Sequence, residues 1–237
     1  MKWLVALFLG LGVASAQAQS VGNASNFVHG PASSGACGSN FAQDSFTGTA
    51  GTNITAHTDD CGNSWSSADC TTSPASSNTL DGSGSVYIKF SSGAAVCYST
   101  NSATPPSANY TVRANVTNSA SSSSSGVLAR FTNSATPNGY FLRANCGSSL
   151  LQLFRVDSGV TTLLGTAGSI SCGNGTGVNE IKLVVNGSSL SGYFGGTLID
   201  SATDSTYGSA GLVGIYNTNG NGLSTAVRIT SQFNAHP

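Results

Sequence analysis

The chain has 237 residues, of which only 7% are charged, against about 25% in an average domain. Eight Lys and Arg stand beside nine Asp and Glu, and 39% of residues are hydrophobic. That balance excludes a nucleic-acid binder, which needs a basic surface. It also excludes an unfolded chain, which needs high net charge and few apolar residues. The surface must then be built from Ser, Thr, Asn and Gly.

The chain opens with Met1-Lys2, an apolar run Trp3–Val13 and Ala14-Ser15-Ala16-Gln17-Ala18. A basic start, a short apolar stretch and an A-x-A site predict a secretory signal peptide over residues 1–18, cut after Ala18 or Ala16. The run is shorter than the roughly 20 apolar residues of a membrane span. No later stretch would span a bilayer. Secretion to an oxidising compartment fits the cysteines. Cys37, Cys61, Cys70, Cys97, Cys146 and Cys172 all follow the leader, and an even count there reads as three disulfides. The expected pairs are Cys61–Cys70, Cys146–Cys172 and Cys37–Cys97. A zinc site is the weaker reading, because there is no C-x-x-C and His29, His57 and His236 are scattered. N-x-[ST] sequons at Asn23, Asn53, Asn109, Asn115, Asn174 and Asn186 follow from a chain rich in Asn, Ser and Thr, and say nothing of glycosylation.

Residues 19–43 read as an irregular arm and 44–237 as one domain. Phe46–His57 reads as an opening strand pair and Asp59–Thr79 as a loop holding Trp65. Strands Ser85–Phe90 and Ala94–Ser99 follow, then a Pro-containing loop over Thr100–Ala108. Five strands come next: Asn109–Thr117, Gly126–Asn133, Gly139–Asn145, Leu150–Val156 and Val160–Thr166. In the first, Tyr110, Val112, Ala114 and Val116 alternate with Thr111, Arg113, Asn115 and Thr117. Period two means one face on a core and one in water. Asp157-Ser158-Gly159 is a hairpin turn, and Ser121–Ser125 reads as a flexible hairpin tip. Glu180–Val185, Ser189–Phe194, Thr197–Ser201, Ala210–Asn217 and Thr225–Phe233 complete the strands. About a dozen short strands and no helical period predict an all-β sandwich or barrel. The expected core includes Tyr110, Val112, Val127, Phe131, Tyr140, Leu142, Leu183, Val185 and Leu212.

Several stretches carry a resemblance. Asp44-Ser45-Phe46, Gly51-Thr52, His57 and Gly62…Trp65 resemble the first strand and loop of bacterial laminin-G-like domains in the concanavalin A-like lectin/glucanase superfamily. Gly126–Phe131, Gly139–Arg143 and Leu151–Val156 resemble the central strands of that family. Ile181–Gly187 and Gly211–Gly214 resemble its closing half. The resemblance spans roughly Asp44 to Phe233. It implies two antiparallel sheets packed face to face as a concanavalin A-like jelly roll. Laminin-G-like relatives often hold Ca2+ on loop oxygens, and Asp59, Asp60 and Asn63 are the candidates for it here. Glucanases of the superfamily carry Glu-x-Asp-x-Glu on one strand, whereas the only Glu here is Glu180, followed by Ile181-Lys182. The lyase strand motifs are not recognisable either, and no G-x-S-x-G lies on a strand-to-helix turn.

The residues therefore favour a secreted binding protein for a polysaccharide or cell-surface glycan. An unrecognised lyase or hydrolase site and a structural surface protein remain the alternatives. Arg113, Arg130 and Arg143 each alternate with apolar positions of their own strand. If those strands are neighbours, the three guanidiniums share one face. With Tyr140 and Asn115 they would then form a groove for an acidic polysaccharide.

Overall fold

The computed structural model describes residues 37–71, 76–89, 95–118, 123–172, 178–219 and 227–237. The expected signal peptide and most of the arm lie outside these residues. One sheet contains β1 (Ala42–Asp44), β3 (Ser77–Leu80), β4 (Ser85–Lys89), β6 (Tyr110–Asn118), β11 (Asn179–Asn186), β12 (Ser189–Phe194), β13 (Thr197–Thr203) and β15 (Val227–His236). The other contains β2 (Trp65–Thr71), β5 (Ala95–Asn101), β7 (Ser123–Phe131), β8 (Gly139–Asn145), β9 (Leu150–Asp157), β10 (Val160–Ser169) and β14 (Leu212–Asn219). The orders are β13-β12-β11-β6-β15-β4-β3, with β1 also on β15, and β10-β9-β8-β7-β14-β5-β2. Every strand pair is antiparallel. The expected all-β sandwich is present, and the only helical turn among the described residues is the 3-10 turn η1 (Ile54–Ala56).

Alternation builds the core as expected. Val112, Ala114, Val127, Leu142, Leu151, Leu153, Leu183, Val185 and Ile215 are all fully or almost fully buried between the sheets. Leu212 is only half-buried. Phe131 is buried, but in a second cluster with Tyr98, Leu128, Phe141, Phe154, Val156 and Tyr216. Strand alternation turns all of these but Phe131 to the face of the seven-stranded sheet away from the core. Phe131 would follow Val127 and Ala129 inward, and the bulge at Arg130 in the β7–β14 ladder turns it to the outer face. Phe141 stacks on Phe154 and on Tyr216, with ring centroids 4.8 Å apart in each pair.

Four expectations fail at the local level. Phe46–His57 is turn and 3-10 structure, because Asn53 caps η1 by accepting the Thr55 N–H. Trp65–Thr71 is a strand and not a loop. Ser123–Ser125 belong to β7, where Ser124 and Ser125 are buried. Two of the three disulfide pairs are exchanged: the bonds are Cys37–Cys61, Cys70–Cys97 and Cys146–Cys172. The cause is register. Cys70 faces Cys97 across β2 and β5, which leaves Cys61 for Cys37. Cys37 and the first residues of β1 both precede residue 44.

Polar groups also cross the interior. Ser125 donates to Asn217 Oδ1 at 2.7 Å, Asn217 Nδ2 donates to Asn78 at 2.9 Å, and Asn78 Nδ2 donates to Ser99 at 2.8 Å. All four side chains are fully buried, and Asn78 comes from the opposite sheet. Asn217→Ala strands the Ser125 hydroxyl and the Asn78 carbonyl without partners. Burial of unsatisfied polar groups costs about 1–3 kcal/mol each. Urea unfolding should show the variant destabilised by about 3 kcal/mol with an unchanged m-value.

Candidate functional site

A polar cleft of about 400 Å³ opens on the outer face of the eight-stranded sheet, lined by Asn40, Gln43, Asp44, Ser45, Asp60, Arg113 and Asn234. Cross-strand register builds it. Gln43 faces Asn234 across β1 and β15, and Asn234 faces Arg113 across β15 and β6. The row continues through Lys182 to Tyr193. Arg113 alternates with Val112 and Ala114, so it points away from the core. Its Nε donates to Asn234 Oδ1 at 2.6 Å, and its Nη1 lies 3.4 Å from Glu180. Lys182 sits over the Tyr193 ring, 4.2 Å from its centroid. Asn40 donates to Gln43 at 2.7 Å.

The floor is Asp44, which is fully buried. Oδ2 accepts from the Trp65 indole at 2.7 Å, and Oδ1 from the Phe46 N–H at 2.7 Å. His57 Nε2 lies 3.0 Å from Oδ1. Phe46 holds φ at 51°, an uncommon value for a non-glycine residue. The Asp44 contact and its complete burial hold it there. Burial pushes the Asp44 carboxyl above its ordinary 3.8, although its donors pull the other way. Burial would lower His57, but the hydrogen bond and charge of Asp44, with Asp60 and Asp59 further off, raise it above its ordinary 6.5.

The loop after η1 is tied to β1. Asp60 accepts from the Ser45 N–H at 2.9 Å and the Ser45 hydroxyl at 3.0 Å, and its own N–H donates to the Gln43 carbonyl. Asp59 is buried and accepts from the backbone N–H of Cys61 and Asn63 and the side-chain amides of Asn63 and Asn101.

The structure separates the expected groove. Arg113 and Asn115 share the outer face of β6. Arg143 lies on the other sheet, over the Phe154 ring at 4.7 Å and bonded to Gln152. Arg130 is buried, 3% exposed, with φ at 50°. This turn out of alternation sends its guanidinium to the carbonyls of Ala108, Gly187 and Tyr207. A Cβ at Gly211 would come 2.4 Å from the Arg130 carbonyl carbon, so glycine makes room for that backbone. Tyr140 is buried as well, its hydroxyl donating to Asp204 at 2.7 Å. Arg130 and Tyr140 hold loops together and do not form a groove. Sequence reasoning missed a second brace: Arg155 binds Asp157 at 2.7 Å and Asp204 at 2.6 Å. It also missed Asp44 as a floor, although Asp44-Ser45-Phe46 was a visible motif.

No known protein family matches the sequence, and no curated protein is similar to it. Solved structures do match the fold. Carbohydrate binding module CBM66 from Bacillus subtilis aligns with a TM-score of 0.55 at 16% identity, over 73% of this chain and 95% of that one. The potassium-bound carbohydrate recognition domain of Emp46p aligns with a TM-score of 0.56 at 8% identity, over 82% and 98%. The Ca2+-bound exoplasmic/lumenal domain of VIP36 aligns with a TM-score of 0.54 at 8% identity, over 78% and 88%. The chain has the concanavalin A-like β-sandwich fold.

The cation carried by two of these structures does not fit the loop expected to hold one. Four N–H donors, the Asn63 side-chain NH2 among them, already face the Asp59 carboxylate, and Asp60 is taken by Ser45. A cation needs those oxygens free. Among the described residues no group of three or more His, Cys, Asp or Glu could hold a metal.

The Asp44–His57 pair predicts a pH dependence. Because His57 is raised in the fold, its stabilisation is complete below 6.5 and is lost as pH rises through its higher folded value. Asp44 has the same sign: its ionisation above 3.8 opposes folding through its raised value. His57→Gln should be about 2 kcal/mol less stable than wild type just below 6.5, the worth of a hydrogen bond to a charged group. The gap should narrow in alkaline buffer, read by denaturant unfolding at both pH values.

Proposed function

We propose that this is a secreted glycan-binding protein whose cleft, between β1, β6, β15 and the loop after η1, receives a neutral, hydroxyl-rich sugar. The observation that carries this is the lining: three amides, a guanidinium, a serine and two carboxylates around one cleft of ligand size. Amides and guanidiniums present fixed donors and acceptors that match vicinal hydroxyls. The row through Lys182 and Tyr193 continues the surface beyond the cleft for a longer chain. Carbohydrate-binding neighbours in the same fold, one of them a module from Bacillus subtilis, support this reading.

Neutral sugar replaces the acidic polysaccharide expected from the arginines. That expectation needed three unpaired guanidiniums on one face. Arg113 is instead the one arginine of the three in the cleft, with Glu180 3.4 Å away. Binding is favoured over hydrolysis for a related reason. A glycosidase acid must reach the glycosidic oxygen. Both Asp44 oxygens are engaged by N–H groups beneath the surface. Three disulfides fit a secreted protein.

A glycan array followed by calorimetry tests the proposal. Wild type should bind a neutral polysaccharide with little salt dependence and release no reducing or unsaturated ends. Arg113→Ala and Gln43→Ala should each weaken binding about tenfold or more, a loss of about 1.4 kcal/mol, with unchanged thermal stability. Equal affinity in wild type and both variants would overturn the assignment of the cleft.

A further inference from the structure

The two long sides of the sandwich are finished differently. On one side β2 and β3 end their sheets, η1 packs against both strands, and the Cys70–Cys97 bond ties β2 to β5. On the other side β10 and β13 end the sheets. β10 carries no charged residue and no proline in ten residues, although charge and proline are the usual guards of an edge strand. Four large hydrophobics among the described residues are exposed. Three of them lie on this side: Val160 at 68%, Leu163 at 46% and Leu198 at 51%.

Backbone geometry says which part of β10 is available. Residues 165–167 bulge out of the β9 ladder. They are seated on β13: a Cβ at Gly165 would lie 2.5 Å from Asp200 Oδ1 and 2.5 Å from the Ser201 carbonyl. Val160–Leu164 is regular. It starts from a two-residue turn in which Ser158 and Gly159 have φ of 50° and 84°. In such a hairpin the residues flanking the turn, Asp157 and Val160, exchange hydrogen bonds, and so does every second pair after them. Thr162 therefore bonds to Arg155. The N–H and C=O groups of Thr161 and Leu163 point away from the sheet, where no strand follows among the described residues.

We propose that this edge pairs with the same edge of a second copy of the chain, antiparallel and centred on Thr162. The segment is self-complementary about that point. Thr161 of one copy meets Leu163 of the other, and their outward backbone groups are the ones that must exchange hydrogen bonds. Val160 meets Leu164 on the opposite face, and Thr162 meets itself. Val160 with Leu164 is apolar on apolar, Thr161 with Leu163 threonine on apolar, and no charge enters the seam, so both exposed β10 hydrophobics are covered at once. The formal net charge of −1 offers little repulsion between copies. The product is one continuous sheet of two seven-stranded halves.

Sedimentation equilibrium on the secreted protein, over a wide concentration range, tests this. Wild type should show a reversible monomer–dimer equilibrium. Thr161→Pro removes an outward N–H that the β9–β10 hairpin does not use, and Leu163→Lys places a charge on the edge. Each should weaken the dimer about tenfold or more and leave circular dichroism and melting unchanged. Hydrogen exchange at the Thr161 and Leu163 amides should slow as wild-type concentration rises. A wild type that stays monomeric, or a dimer that survives both substitutions, would overturn the proposal.

Discussion

A carboxylate with no access to water has to be met by donors on every side, and Asp44 imposes that demand on one end of the sandwich. The indole of Trp65 reaches it from β2, the imidazole of His57 from the end of η1, and the N–H of Phe46 from its own turn. Two separate segments, 13 and 21 residues further along the chain, are thereby fixed relative to β1, together with the turn that follows it. Removing one donor would leave a buried charge under-solvated, which costs more than the lost bond itself. Phe46 and Trp65 then pack on one another and Trp65 on Phe233 of β15. The polar demand and the aromatic packing fix the same few residues.

That rigidity reaches the surface through Ser45 and Asp60. Asp60 is clamped by both hydrogen-bonding groups of Ser45, one residue from Asp44. The cleft walls are consequently set by buried contacts and by sheet register, with little left to side-chain freedom. Pre-setting of donors and acceptors is what a weak, hydroxyl-rich ligand requires, because each ordered side chain otherwise subtracts from affinity. On the proposed reading, a chain with so few charges recognises its ligand through amides, hydroxyls and single, locally paired ions.

The sequence was most legible where information is local. Tyr110, Val112 and Val116 alternate with polar residues, and β6 buries them as that pattern requires. The β9–β10 hairpin was readable from Asp157-Ser158-Gly159. What depends on distant pairing was not. Nothing in the residues between β6 and β7 says that the chain changes sheets there, and this alone parts Arg113 from Arg143. Arg130 leaves its expected face because of a backbone twist made possible by Gly211, about eighty residues on. Cys70 finds Cys97 through register and not through loop length. Asp44 was visible as part of a motif, but its burial depends on Trp65 and His57 folding over it.

The most direct measurement is a backbone-amide NMR titration of the protein with the neutral polysaccharide selected on the array. The account predicts shift changes concentrated at residues 40–45, 58–63, 111–115 and 234, with Tyr193 added for longer chains. Changes centred on Tyr98, Phe141, Arg143 and Tyr216 of the other sheet, or none at any concentration, would contradict it.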